Sequence, residues 1–135
     1  MVTMEELKAR DPDLVSFRFG DGPELSAELI ALVRSGAKTG TCSALRDFDE
    51  EPMPVVGRRD VALNWDGSPA LMIETTEVTQ RRFCDVDAEF ALAEGEDETL
   101  ESWRDGHRRY FERNGGWDPE MMLVCERFRL VEDFA

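Results

Sequence analysis

Apolar positions along the chain change period from one stretch to the next. Leu25, Leu29, Leu32 and Val33 recur at intervals of three and four, and Ile30 widens the stripe, which predicts an amphipathic helix. Asp21-Gly22-Pro23-Glu24 supplies its start, with Asp21 as the expected cap, and Gly36 its left-handed stop. Residues 39–45 are short and rich in hydroxyls and read as a strand. Apolar runs 61–65 and 70–78 flank Asp66-Gly67, a hairpin signal for a type I′ turn. Val86, Phe90 and Ala93 share one face of a helix expected over 85–94. Thr99 caps another running to Arg113, with Leu100, Trp103, His107, Tyr110 and Phe111 inward. Residues 121–131 read as a closing strand, and 2–10 as a short charged helix. Helix, strand, hairpin, two helices and strand make an α+β pattern rather than alternating β-α-β units.

Length suits one domain with one core. The formal charge of −14, from 30 acids against 16 bases, disfavours indiscriminate nucleic-acid binding, so a nucleotide site must be a local basic pocket. Lys8 and Lys38 are the only lysines, and Lys38 alone lies in the body of the domain. A lysine is a compact point charge that a guanidinium fork does not replace. Cys42, Cys84 and Cys125 form no CxxC pair, which predicts free thiols in a reduced, cytoplasmic setting. No signal-peptide pattern or membrane-length apolar run is read in the chain.

Four segments, taken in order, resemble the ASCH family, especially its small bacterial members. They are Leu32-Val33-Arg34-Ser35-Gly36-Ala37-Lys38-Thr39-Gly40-Thr41, similar to a glycine-x-lysine-x-x-threonine signature; Ile73-Glu74-Thr75-Thr76-Glu77-Val78; Asp87 to Glu96 followed by Trp103-Arg104 and His107; and Val124-Cys125-Glu126-Arg127-Phe128. The resemblance implies a PUA-like mixed β-barrel with flanking helices over 21–135, with 1–20 as an extension carrying a short helix. It also implies a cleft at the turn after Gly36. Some relatives hydrolyse the amide of N4-acetylcytidine and some are ribonucleases. Carried over by position, Lys38 would be the base, Thr41 the nucleophile and Glu96 the acid or orienting group, with Glu94 one register step away. Those amidohydrolases carry an arginine two residues after the threonine, where this chain has Ser43.

Strand parity adds Glu126, on a face with Val124 and Phe128, and Glu74, on a face with Met72 and Thr76. Carboxylates among apolar neighbours are paired, hydrogen-bonded or functional. Thr39, Ser43, Arg104, His107 and Arg108 complete the expected ligand-binding set. For His107 a hydrogen-bonded core position competes with a ligand contact, and Arg104 and Arg108, with Arg113 and Arg109, either steer phosphates or balance Asp105 and Glu112. The lone histidine supports neither a histidine metal site nor a Ser-His-Asp triad, so no metal or cofactor is expected. The expected ligand is RNA or a nucleoside- or nucleotide-like molecule bound around Lys38. A hydrolase of the same cleft is the alternative, and an acidic module binding a basic protein a third reading. A homodimer is compatible with the sequence, and no membrane partner is expected.

Overall fold

In the computed structural model of the chain, which describes residues 2–135, five strands form one curled mixed sheet flanked by helices. The strands are β1 (Val15–Phe17), β2 (Gly40–Ala44), β3 (Arg59–Leu63), β4 (Pro69–Arg82) and β5 (Met122–Asp133), in spatial order β1-β3-β4-β5-β2. β1 runs parallel to β3, and the other neighbours are antiparallel. The helices are α1 (Met4–Arg10), α2 (Pro23–Ser35), α3 (Ala88–Ala93) and α4 (Leu100–Arg113), with 3-10 turns at Leu45–Phe48 and Phe83–Asp85. This is the expected α+β class, a half-barrel with β1 and β2 at its two edges.

Three expectations about local structure are corrected. Asp21 does not cap α2: Gly22 holds the cap position, and the Asp21 carboxylate accepts instead from Arg113 and Asn114 at 2.7 and 2.9 Å. The hairpin turn is not type I′, because only Gly67 has a positive φ. Gly67 N–H donates to Asn64 O and Asn64 N–H to Ser68 O, a turn closed by a left-handed glycine, with the Asp66 carboxylate accepting from Ser68. The helix expected over 85–94 begins later, at Ala88, because Asp87 caps it by accepting from Phe90 N–H at 2.9 Å. β1 was not foreseen, since three residues are too few to show a period.

Long strands β4 and β5 pair along most of their length, with register shifts at Met72/Ile73 and Thr75/Glu77. Such irregularities bend a strand and increase its twist, which curls the sheet. α2 lays Leu29, Ile30 and Val33 on Phe19, Ala62, Leu71, Ile73 and Phe128. α3 and α4 bury Phe90, Ala91, Trp103 and Phe111 against Ala44, Leu123 and Cys125. α1 contributes Leu7 to a third cluster, on the opposite sheet face, with Val61, Leu63 and Met72.

The loop between α3 and α4 is pressed against the segment after α2. Gly95 has φ +77°, and a Cβ there would overlap Ala37 O and meet Lys38 Cα at 2.9 Å. Both requirements exclude a side chain. Gly95→Ala is therefore expected to lower unfolding stability by more than about 1 kcal/mol, through conformation and overlap together. Urea unfolding checks this, with Gly106→Ala, inside α4 where a Cβ meets open space, as the control that is not destabilised.

Candidate functional site

α2 stops at Gly36 in the left-handed conformation (φ +83°), and the chain turns at once. Lys38 N–H donates back to Leu32 O at 3.1 Å, and Thr39 N–H reaches Ala93 O at 2.7 Å. This double anchorage aims the Lys38 side chain under the α3–α4 loop, where the residue is 2% exposed. Its Nζ lies 3.2 Å from Glu96 Oε2, 3.5 Å from Glu94 Oε1 and 3.3 Å from Glu94 O. All three ammonium protons thus have acceptors. Gly95 brings the two glutamates to one lysine, because its close approach to Ala37 lets the residues on either side face inward.

Glu94 is 1% exposed. Its Oε2 accepts a short hydrogen bond from Trp103 Nε1, lies 3.3 Å from His107 Nε2 and is within 3.5 Å of Cys42 Sγ. Burial opposes its charge, but Lys38, His107 and Trp103 together outweigh burial and hold its pKa at about 2. His107 Nδ1 faces Trp103 O at 2.9 Å while Nε2 faces Glu94, so both ring nitrogens meet acceptors and both must carry protons. Burial works against the charged ring, yet the Glu94 hydrogen bond and charge raise its pKa above the ordinary 6.5. Two cations and two carboxylates then make a cluster of no net charge. Glu96, with its side chain 23% exposed, and His107, at 13%, reach toward solvent, while Lys38 and Glu94 do not.

Cys42, Glu94 and His107 bring one ligand atom each within 4.8 Å, a spacing a metal ion could span. The donor chemistry does not suit one. Glu94 Oε2 is already engaged by Trp103 and His107, and an ammonium stands beside the same carboxylate. Burial and the Glu94 charge push the Cys42 thiol well up, and Cys125 is pushed to about 12 chiefly by burial. Neither thiol offers a thiolate near neutral pH.

The cluster forms the floor of a cleft of about 360 Å³ lined also by Thr41, Tyr110, Arg109 and Arg113. Phe19, Gly20, Thr41, Cys42 and Tyr110 also line a second lobe of about 600 Å³, which holds Ser43, Arg58, Asp60 and Glu126. Lys38, Thr41, Glu96 and His107 therefore share one lobe, while Ser43 and Glu126 border the other. Thr39 is exposed, and its hydroxyl donates to Ala93 O at 3.4 Å, outside both lobes.

Glu74 lies on the outer sheet face. It shares a face with Met72 as parity required, but α1 covers Met72 and not Glu74. Its register partners Arg59 and Arg129 bind it at 3.0 and 3.1 Å, so it is a cross-strand ion pair and not a cleft residue. Arg104 and Arg108, one helical turn apart, face the far side of α4. There they line a separate hollow with Phe83, Cys84 and Trp117, whose charged residues are all exposed. Arg109 and Arg113 are the arginines on the cleft side. Glu94, the register alternative to Glu96, and Trp103, expected only as an inward residue of α4, join the cluster, and Arg58 and Asp60 of the second lobe were not foreseen. The signal for Glu94 was Glu94-Gly95-Glu96, where a glycine between two acids marks a close backbone approach.

The sequence model of the ASCH domain matches residues 15–132. The chain belongs to the ASCH domain family. Protein EF3133 from Enterococcus faecalis V583 has a solved structure that is 35% identical, with a TM-score of 0.82, covering 90% of this chain and 78% of that one. An ASCH domain from Lactobacillus crispatus JV V101 is 29% identical over 97% of this chain and 87% of its own, also at 0.82. An ASCH protein from Zymomonas mobilis, 16% identical with a TM-score of 0.54 over 86% of this chain and 65% of its own, shares the fold. No curated protein matches the sequence closely enough to count as a relative. The ASCH family is associated with RNA binding. Among the described residues, no helix is long and apolar enough to cross a membrane.

The ASCH cluster makes stability depend on pH in two directions. Glu94 is depressed from 4.5 to about 2, so its contribution is present above 4.5 and is lost as pH falls toward 2. His107 is raised, so its contribution is present below 6.5 and is lost as pH rises through its higher folded value. As the single histidine, it can be followed without assignment. Nitrogen-15 NMR is expected to show both ring nitrogens protonated at pH 6.5, with a titration midpoint above 6.5. Glu94→Gln is expected to bring that midpoint down toward or below the ordinary value.

Proposed function

We propose that this ASCH domain recognises a short nucleotide unit, an RNA end or a free nucleotide, in the two-lobed cleft beside Lys38. The observation that carries this reading is the saturated charge cluster at the floor of an open cleft. Groups so expensive to bury are kept where a polar ligand can meet them, with Glu96 at the boundary. Lys38 is fully engaged by glutamates, so it orders the site rather than gripping a phosphate itself. Arg109 and Arg113, exposed at the rim and each ion-paired with one surface acid, Asp105 and Asp21, keep further N–H donors free and are the phosphate contacts. Two rim arginines on a body of charge −14 favour one or two phosphates over a long backbone.

The test is titration of 5′-mononucleotides and RNA trinucleotides at several salt concentrations. An Arg109→Gln/Arg113→Gln double variant is expected to bind about tenfold or more weakly, with a shallower salt dependence. Wild-type protein that binds none of these ligands, or a double variant that binds like wild type, removes the reading.

A hydrolytic reading of the same cleft is favoured by one observation: Lys38, Thr41 and Glu96 line a single lobe. Under it, Thr41 attacks an amide carbonyl and Glu96 handles the proton. Incubation with N4-acetylcytidine is expected to release cytidine and acetate, and the rate to collapse in Thr41→Val. Absence of turnover between pH 6 and 9 rejects this substrate while leaving the binding reading intact.

A further inference from the structure

The second lobe contains a polar group that the protein leaves unsatisfied. Asp60, on β3, is 5% exposed, and its Oδ1 has no hydrogen-bond partner. Its other oxygen, Oδ2, is held by Arg58 Nη2 at 2.9 Å, and Arg58 Nε is also buried without a partner. Glu126, on β5, lines the same lobe and takes one hydrogen bond, from Thr75 Oγ1 at 3.3 Å. A buried polar atom without a partner costs about 1–3 kcal/mol, so one that lines an open lobe is a place where a ligand can supply the partner. Phe17, Phe19, Phe48 and Tyr110 give the lobe aromatic edges.

We propose that this lobe is the base subsite, in which Asp60 Oδ1 accepts an N–H from the exocyclic amino group of a heterocyclic base. The assignment rests on the nucleotide reading above and adds to it what the ligand must carry. The geometry gives each part of a nucleotide its own place. Arg109 and Arg113 lie on the Lys38 lobe, Asp60 on the other, and Thr41, Cys42 and Tyr110 border both. A phosphate at the arginines therefore leaves the base pointing toward Asp60.

The partners are also matched in kind. Asp60 has an arginine to hold its charge, which makes its free oxygen a strong acceptor. Glu126 is different: burial, reinforced by the Asp60 charge, raises its pKa, with Arg58 and Thr75 pulling the other way. The two carboxyl groups thus face a bound base from different electrostatic surroundings, with the acceptor at Asp60.

Calorimetric titration of the intact protein with cytidine 5′-monophosphate, its N4,N4-dimethyl analogue and ribose 5-phosphate separates the possibilities. Cytidine monophosphate is expected to bind about tenfold or more tightly than either of the others, the size of one charge-assisted hydrogen bond. Asp60→Asn is expected to remove most of that preference. If all three ligands bind equally, a water serves Asp60 and the subsite is refuted while the phosphate reading stands. If Asp60→Asn folds and keeps the preference, the assignment to Asp60 is overturned. If no ligand binds at all, the nucleotide reading itself has failed, and the subsite with it.

Discussion

The ion pair between Lys38 and Glu94 is the constraint that the rest of the site obeys. Both residues are almost wholly buried, and each charge taken out of water costs several kcal/mol before any partner is counted. The attraction between them offsets that only if every remaining proton and lone pair finds a partner. Lys38 fills its three donors on Glu94 and Glu96; Glu94 fills its oxygens with Lys38, Trp103, His107 and Cys42. Those partners come from the turn after α2, the α3–α4 loop, α4 and β2. The pair thus ties four parts of the chain to one point, and Gly95 is the place where two of them come too close for a side chain.

This arrangement changes what Lys38 can be asked to do. An exposed lysine in a cleft is a phosphate grip; a lysine with three acceptors in place is a fixed positive field. The working edge of the cluster moves to the groups that keep some contact with solvent, which are Glu96 and His107. It also explains how an acidic chain tolerates this site. The cluster balances its own charge once His107 is protonated, so the long-range field is left to the surface, where acids predominate. Such a field repels long polyanions, which is why the proposed ligand is a short one.

Much of this was legible in the sequence because it rests on local rules. Gly36 ends α2 and Thr99 caps α4 through backbone geometry that a few residues dictate. Lys38 stood out by scarcity and by position after the helix stop. The misread parts depend on contacts between distant segments. Asp21 has the chemistry of a cap, but Arg113 and Asn114 arrive from α4 and take its carboxylate. Glu74 has the parity of a buried acid, yet its register partners on both neighbouring strands are arginines. Arg104 and Arg108 differ from Arg109 and Arg113 only by phase around α4, which is fixed once Trp103 and Phe111 are packed. Asp60 could not be found at all without β1, too short to announce itself, forming the edge beside it.

The departure at Ser43 gains a physical meaning from the second lobe. The resemblance to amidohydrolases implies an arginine two residues after Thr41, where this chain has Ser43. Here a small hydroxyl residue lines the lobe instead, and a guanidinium enters it from the residue before β3, as Arg58. A cation on β2 would stand on the strand paired with Glu126, where it would favour the ionised carboxylate. Arg58 is bound first to Asp60, at 2.9 Å, so its charge is spent on the neighbouring acid. Burial then dominates at Glu126 and raises its pKa. One lobe thus holds two carboxyl groups in different electrostatic surroundings, one ion-paired with an arginine and one hydrogen-bonded to a threonine. The pairing follows from where the arginine sits and not from the carboxyl groups themselves.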